Sequence, residues 1–247
     1  MQRILIWDLP TRAFHALLAI GFLAAASIAL FARDSSPIFP FHALIGLVLA
    51  LMVVLRIVWG VVGTRYARLS SFTPRPGVVF AYFEDLVGHG SKRKLPATPG
   101  HNAGAAYGIF AMLGVVLGLA VTGYLMSRGD ERFEEVHEVL AYTMVGLVLM
   151  HVAGVLVHLV RHRENIIASM IHGKKDGEPQ DGIPSAEPIA GLIFLAIVGV
   201  WGFMLVRNYD ADTRTTRLPL SSSILELGDA EEGEARAATE SLDLDED

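Results

Sequence analysis

The sequence predicts an all-α integral membrane protein, a four-helix transmembrane bundle followed by a fifth C-terminal transmembrane helix and an acidic tail. Three observations carry that prediction. The 247 residues are 52% hydrophobic with a mean hydropathy of +0.45, more apolar than a soluble globular domain. Five apolar runs each have the ~20 residues needed to cross about 30 Å of hydrocarbon. Histidines in or beside those runs recur at helical spacing.

The first run, from about Arg12 to Phe31, is too long for a cleaved secretory signal and carries His15 near its start, so it is expected to stay as a span. A second, about Pro40 to Val62, opens on a proline and holds His42 and Arg56. The third covers about Ala103 to Met126 and the fourth about Val136 to Val160. A fifth, about Pro188 to Val206, follows a connection punctuated by Gly173, Gly177, Pro179, Gly182 and Pro184. The chain therefore divides into a bundle (1–175), a linker (176–187), an extra helix (188–206) and a tail (207–247). That tail holds twelve acids against four arginines, a net of −8, whereas the whole chain carries −6. Such a composition predicts a disordered or weakly ordered segment, able to attract a basic soluble partner.

Basic residues orient the spans. Arg65, Arg68, Arg75, Lys92, Arg93 and Lys94 lie between spans two and three, and Arg161, Arg163, Lys174 and Lys175 between spans four and five. Those connections are expected in the cytoplasm. The N-terminus is then inside and the tail outside. No nucleic-acid partner is expected.

The fourth span reads His137, His151 and His158, separated by fourteen and seven residues, which returns the helix to nearly one side. Ionisable groups within a bilayer are costly and mark a site by default. Neutral imidazole is a good iron ligand, and a haem held between helices accounts for several at once. At about 1.5 Å per residue, His137 and His151 stand about 21 Å apart, near opposite membrane edges. Depth then pairs His42 with His137 at the outer side and His15 with His151 at the inner side. His158 lies about 10 Å further in and competes with His151 by depth alone. His151 is preferred because Arg161, His162 and Arg163 put His158 at the interface. No cysteine is present, which excludes covalently attached haem, cysteine-held iron–sulfur clusters and disulfides.

Other residues are candidates of a weaker kind. Arg56, Arg65 and Arg68 suit either haem propionates or interfacial anchoring. His158 is favoured as an interfacial residue or a haem propionate neighbour. His101, beside Asn102, could cap the third span or contact a propionate. Both are also candidates for lining a quinone pocket, with helix capping by Asn102 as the plainer role. Gly46, Gly108, Gly114, Gly118, Gly146 and Gly154 give room for a flat macrocycle or for close helix packing.

Several separate stretches resemble the bacterial cytochrome b561 family, which includes the b-type cytochrome subunits of nickel–iron hydrogenases. They are Trp7-Asp8-Leu9-Pro10-Thr11-Arg12-Ala13-Phe14-His15, the run from His42 to Gly46, the run from Arg56 through Trp59, Gly60, Gly63 and Arg65 to Arg68, Gly100-His101-Asn102, and His151 through His158 to Met170, Gly173 and Lys174. The resemblance covers roughly residues 5 to 175. It implies two b-type haems with bis-histidine ligation, exchanging electrons between quinone and a surface partner. Similar formate dehydrogenase subunits draw ligands from spans one, two and four, which supports His15, His42, His137 and His151. The function expected is electron transfer between the quinone pool and a basic extracytoplasmic redox protein such as a c-type cytochrome. The alternatives are the cytochrome b anchor of a hydrogenase-like or dehydrogenase-like complex, and a superoxide:quinone oxidoreductase. The fifth span and tail lie outside the resemblance.

Overall fold

The computed structural model describes residues 2–72, 77, 78, 80, 84 and 103–228. His101 and Asn102, the basic residues Arg75, Lys92, Arg93 and Lys94, and the tail acids from Asp229 onward lie outside the described residues. Five helices are long and apolar enough to cross a membrane, and each begins and ends where local chemistry dictates. Helix α1 (Leu9–Phe31) starts at Asp8, whose carboxylate accepts from the Thr11 backbone N–H at 2.9 Å, with Pro10 in the first turn. Helix α2 (Pro40–Val62) opens on Pro40 and stops at Gly63, where the Trp59 carbonyl and indole leave no space for a β-carbon. Helix α3 (Ala103–Met126) and helix α4 (Glu134–His162) follow. Helix α4 ends on Arg163 in the left-handed region, φ 53°. A short helix α5 (Ile166–His172) is capped by Asn165 and closed by Gly173 at φ 82°. Helix α6 (Pro188–Arg207) is the last span.

Helices α1 and α2 pack as one antiparallel pair and α3 and α4 as another, with α2 against α3; α6 lies on α1 and α2. Gly191 lets α6 reach α1, since a β-carbon there would collide with Leu9. Helix α4 has no comparably close packing with α1 or α2 among the described residues. The central core joins Phe14, Leu49, Met52, Val53, Leu113, Val116, Met144, Phe194 and Val198. Leu23, Val58, Leu149 and Phe203 are exposed on the outer faces, as lipid-facing helices require.

Both ends are stapled by structure that the hydropathy pattern does not announce. At one end strand β1 (Gln2–Leu5) pairs antiparallel with β2 (Lys174–Gly177), and Gly173 accepts from the backbone of Ile6 at 2.8 Å and Trp7 at 3.0 Å. Ile4, Ile6, Trp7, Tyr66 and Ile183 cluster beneath them. The expected linker is thus partly a strand bound to the N-terminus. At the other end β3 (Tyr209–Asp210), β4 (Thr215–Arg217) and β5 (Ile224–Glu226) form a three-stranded antiparallel sheet. This corrects the expectation of a weakly ordered tail for its first part. Leu225 and Leu227 bury against Leu44 and Leu205, and Arg214 donates to the carbonyls of Asp34 and Ser35 at 3.0 and 2.5 Å. Few acids fall in that stretch, so apolar side chains can close it onto the bundle.

Candidate functional site

Imidazoles from α1, α2 and α4 meet as two pairs. His15 of α1 faces His151 of α4 with ring centres 6.4 Å apart and planes at 56°. His42 of α2 faces His137 of α4 at 6.3 Å and 76°. The pairs occupy the gap that separates α4 from α1 and α2. His137 and His151 are four turns apart on one helix, so the pairs lie at different depths.

Nearby groups set the orientation of the His42–His137 pair. The His42 Nδ1–H donates to the Ala25 carbonyl at 2.9 Å, and its ring stacks on Phe39 at 6.0 Å. A carbonyl only accepts, so the proton is on Nδ1 and the Nε2 lone pair is free. On the facing side, Thr122 Oγ1 lies 2.8 Å from His137 Nδ1. The next residue, Gly123, lets that ring approach: a β-carbon there would stand 3.3 Å from His137 Cε1. Among the described residues, neither His15 nor His151 has a hydrogen bond at a ring nitrogen.

His158 is placed differently. It is buried, and its Nε2 bonds Glu164 Oε2 at 3.2 Å, while Lys175 Nζ reaches Glu164 Oε1 at 3.1 Å. Burial alone would push the Glu164 carboxyl up, but the Lys175 ammonium and the hydrogen bonds from Lys175 and His158 outweigh it and hold it below the usual range.

Arg56 is 4% exposed within α2, and its Nη1 has no hydrogen-bond partner among the described residues. The electrostatic partner it senses is Asp8. That carboxylate, 1% exposed, already accepts from Thr11 N, from Trp59 Nε1 at 3.1 Å and from Thr64 Oγ1 at 2.5 Å. Arg12 donates through Nη1 to the Ile171 carbonyl at 2.7 Å, leaving its buried Nε unpaired among the described residues. Arg65 is exposed, its guanidinium 5.3 Å over the Tyr66 ring, and Arg68 donates to the Gly63 carbonyl at 2.9 Å. Sequence reasoning passed over Thr122 and Arg12. Each contact joins two different helices, 15 residues apart for Thr122 and His137 and 159 for Arg12 and Ile171, and no spacing rule links them.

A family model described as prokaryotic cytochrome b561 matches residues 6–173. The chain belongs to that family. Like other cytochromes b561 it is a multi-pass membrane protein that transfers electrons across the membrane through b-type haem. Comparison with curated proteins finds no match. The residues of this cytochrome fit such a group. A metal–imidazole bond of about 2.0–2.1 Å, plus roughly 1.1 Å from nitrogen to ring centre, separates two axial imidazole centres by about 6.3 Å. Both pairs have that spacing. At Gly46, Gly108, Gly114, Gly146 and Gly154 nothing lies within 4 Å of where a β-carbon would be, whereas Gly118 packs on Leu140. Gly46 and Gly154 follow His42 and His151 by about one turn on the same faces.

Proposed function

We propose that this cytochrome b561 holds two b-type haems, one between His15 and His151 and one between His42 and His137, and exchanges electrons between membrane quinone and a basic extracytoplasmic redox protein such as a c-type cytochrome. The observation that carries it is the equal spacing of the two imidazole pairs, 6.4 and 6.3 Å. Among the described residues no three His, Cys, Asp or Glu side chains converge, so each pair suits an iron that arrives with its own equatorial nitrogens. Haem bound there would supply a one-electron couple, and with two histidines of this chain as its ligands it would be suited to electron transfer rather than oxygen binding.

The protein's own part is positional and electrostatic. The hydrogen bonds to Nδ1 of His42 and His137 leave Nε2 as the ligand atom and fix the ring planes. Arg56, buried with an unmet donor, is assigned to a haem propionate, as is the unpaired Nε of Arg12. Arg65, already engaged with Tyr66, and Arg68 are assigned to interfacial anchoring. His158, linked through Glu164 to Lys175, is assigned to the quinone side of the inner pair, where it could pass a proton; His101 is a second candidate there. The N-terminus and the α4–α6 connection are placed in the cytoplasm of an inner-membrane protein by their basic residues. The β3–β5 sheet then faces the periplasm, on the side of the basic soluble partner to which the acidic composition of 207–247 is suited.

A pyridine haemochrome assay on detergent-purified protein tests the assignment. The expected result is two non-covalent b-type haems per chain, falling to one in His42→Ala or His137→Ala and to one in His15→Ala or His151→Ala. A variant in which His158→Ala removes a haem while His151→Ala does not would overturn the inner pair.

A further inference from the structure

The outer histidine pair has a built hydrogen-bonding shell that the inner pair lacks among the described residues, and one member of that shell is a side chain. Thr122 is 6% exposed in the membrane-embedded part of α3. Its single hydroxyl proton goes to the helix carbonyls of Gly118 at 2.9 Å and Leu119 at 3.2 Å, groups that only accept. The oxygen is left to accept from His137 Nδ1–H at 2.8 Å. The result is a relay from imidazole to hydroxyl to carbonyl, held in place by the α3 backbone. Beside it, the lack of a β-carbon at Gly123 lets the ring lie close against α3, since one there would stand 3.3 Å from His137 Cε1.

Building on the ligand assignment above, we propose that Thr122 is a positioning and tuning residue for the outer haem. By accepting the Nδ1 proton it makes His137 a stronger donor to iron. Stronger donation favours the ferric form, so Thr122 holds the outer site at a lower potential than the same two histidines would give alone. The residue acts through His137 and touches no reacting atom itself.

The test is spectroelectrochemical titration of full-length, haem-loaded protein carrying His151→Ala, which leaves only the outer site, with Thr122 as wild type, Thr122→Val or Thr122→Ser. Thr122→Val keeps the shape and removes the hydroxyl acceptor, leaving the Leu119 carbonyl as the backbone partner of His137. It is expected to shift the oxidised-to-reduced ratio at fixed ambient potential about tenfold toward reduced, about 59 mV upward for a one-electron couple. The ferric low-spin electron paramagnetic resonance signal should move with it. Thr122→Ser restores the hydroxyl and should return both readouts to the parent values. An unchanged potential in Thr122→Val, a downward shift, or Thr122→Ser behaving like Thr122→Val would overturn the inference while leaving the ligand assignment standing. A His151→Ala parent that binds any number of haems other than one would overturn the ligand assignment, and this inference with it.

Discussion

Replacing Asp8 should loosen the whole end of the bundle at which α1 begins. Its carboxylate is 1% exposed and accepts three hydrogen bonds, from Thr11 N, Trp59 Nε1 and Thr64 Oγ1. These tie the start of α1 to the end of α2 and the residues that follow it. Losing the helix cap costs about 1 kcal/mol. The other two bonds end on a charged acceptor and contribute about 1.5 kcal/mol each, the low end of the range because Trp59 and Thr64 are only partly buried. Asp8→Ala should therefore cost about 4 kcal/mol, and more if Arg56 loses its nearby anion without compensation. Asp8→Asn keeps an oxygen for the Thr11 cap but turns an amide donor toward the Trp59 N–H, so it should cost about half as much. At roughly 2–4 °C per kcal/mol for a chain of this size, Asp8→Ala should lower the midpoint of helix loss by about ten degrees, read by circular dichroism in detergent. His15 lies two turns along the same helix, so the inner haem should loosen first. A melting point for Asp8→Ala within two degrees or so of wild type, or an Asp8→Asn variant as damaged as Asp8→Ala, would refute this reasoning.

Two further outcomes follow from local geometry. Gly123→Val should drive side-chain atoms into the His137 ring, because a β-carbon there already stands 3.3 Å from Cε1; the haem-to-protein ratio should fall from two toward one, while Gly199→Val, at a position with nothing within 4 Å, should leave it unchanged. The folded-state pKa of Glu164 is depressed by Lys175 and His158, so its contribution to stability is present above the ordinary carboxylate value and disappears as the pH falls through the depressed one. Wild type should melt above Glu164→Gln at neutral pH and converge with it in acid; a gap that persists in acid would show that the ionised carboxylate is not the link.

Much of the architecture was legible because a bilayer forces it. A span must be apolar for about twenty residues and must satisfy its own backbone, so hydropathy alone locates the five helices. The ends found in the structure differ from the expected ones by a few residues, as at Leu9 in place of Arg12 and Glu134 in place of Val136. Capping by Asp8 and the charged first turn of α4 extend those helices past their apolar parts. Residues 209–226 were not legible as a sheet, because acidic composition averaged over 207–247 hides a short segment whose Leu225 and Leu227 find an apolar seat.

By itself the sequence determined the class of the protein, the number of spans, and which histidines share a helix face and a depth, since periodicity and rise are local properties of the chain. Only the tertiary structure decided what each side chain meets. It set the His151 ring beside His15 while turning His158 to Glu164, and it brought Thr122 to His137 and Trp59 to Asp8. Those choices depend on how helices rotate and lean against one another. Burial period says which face turns inward, but the partner on that face comes from another helix.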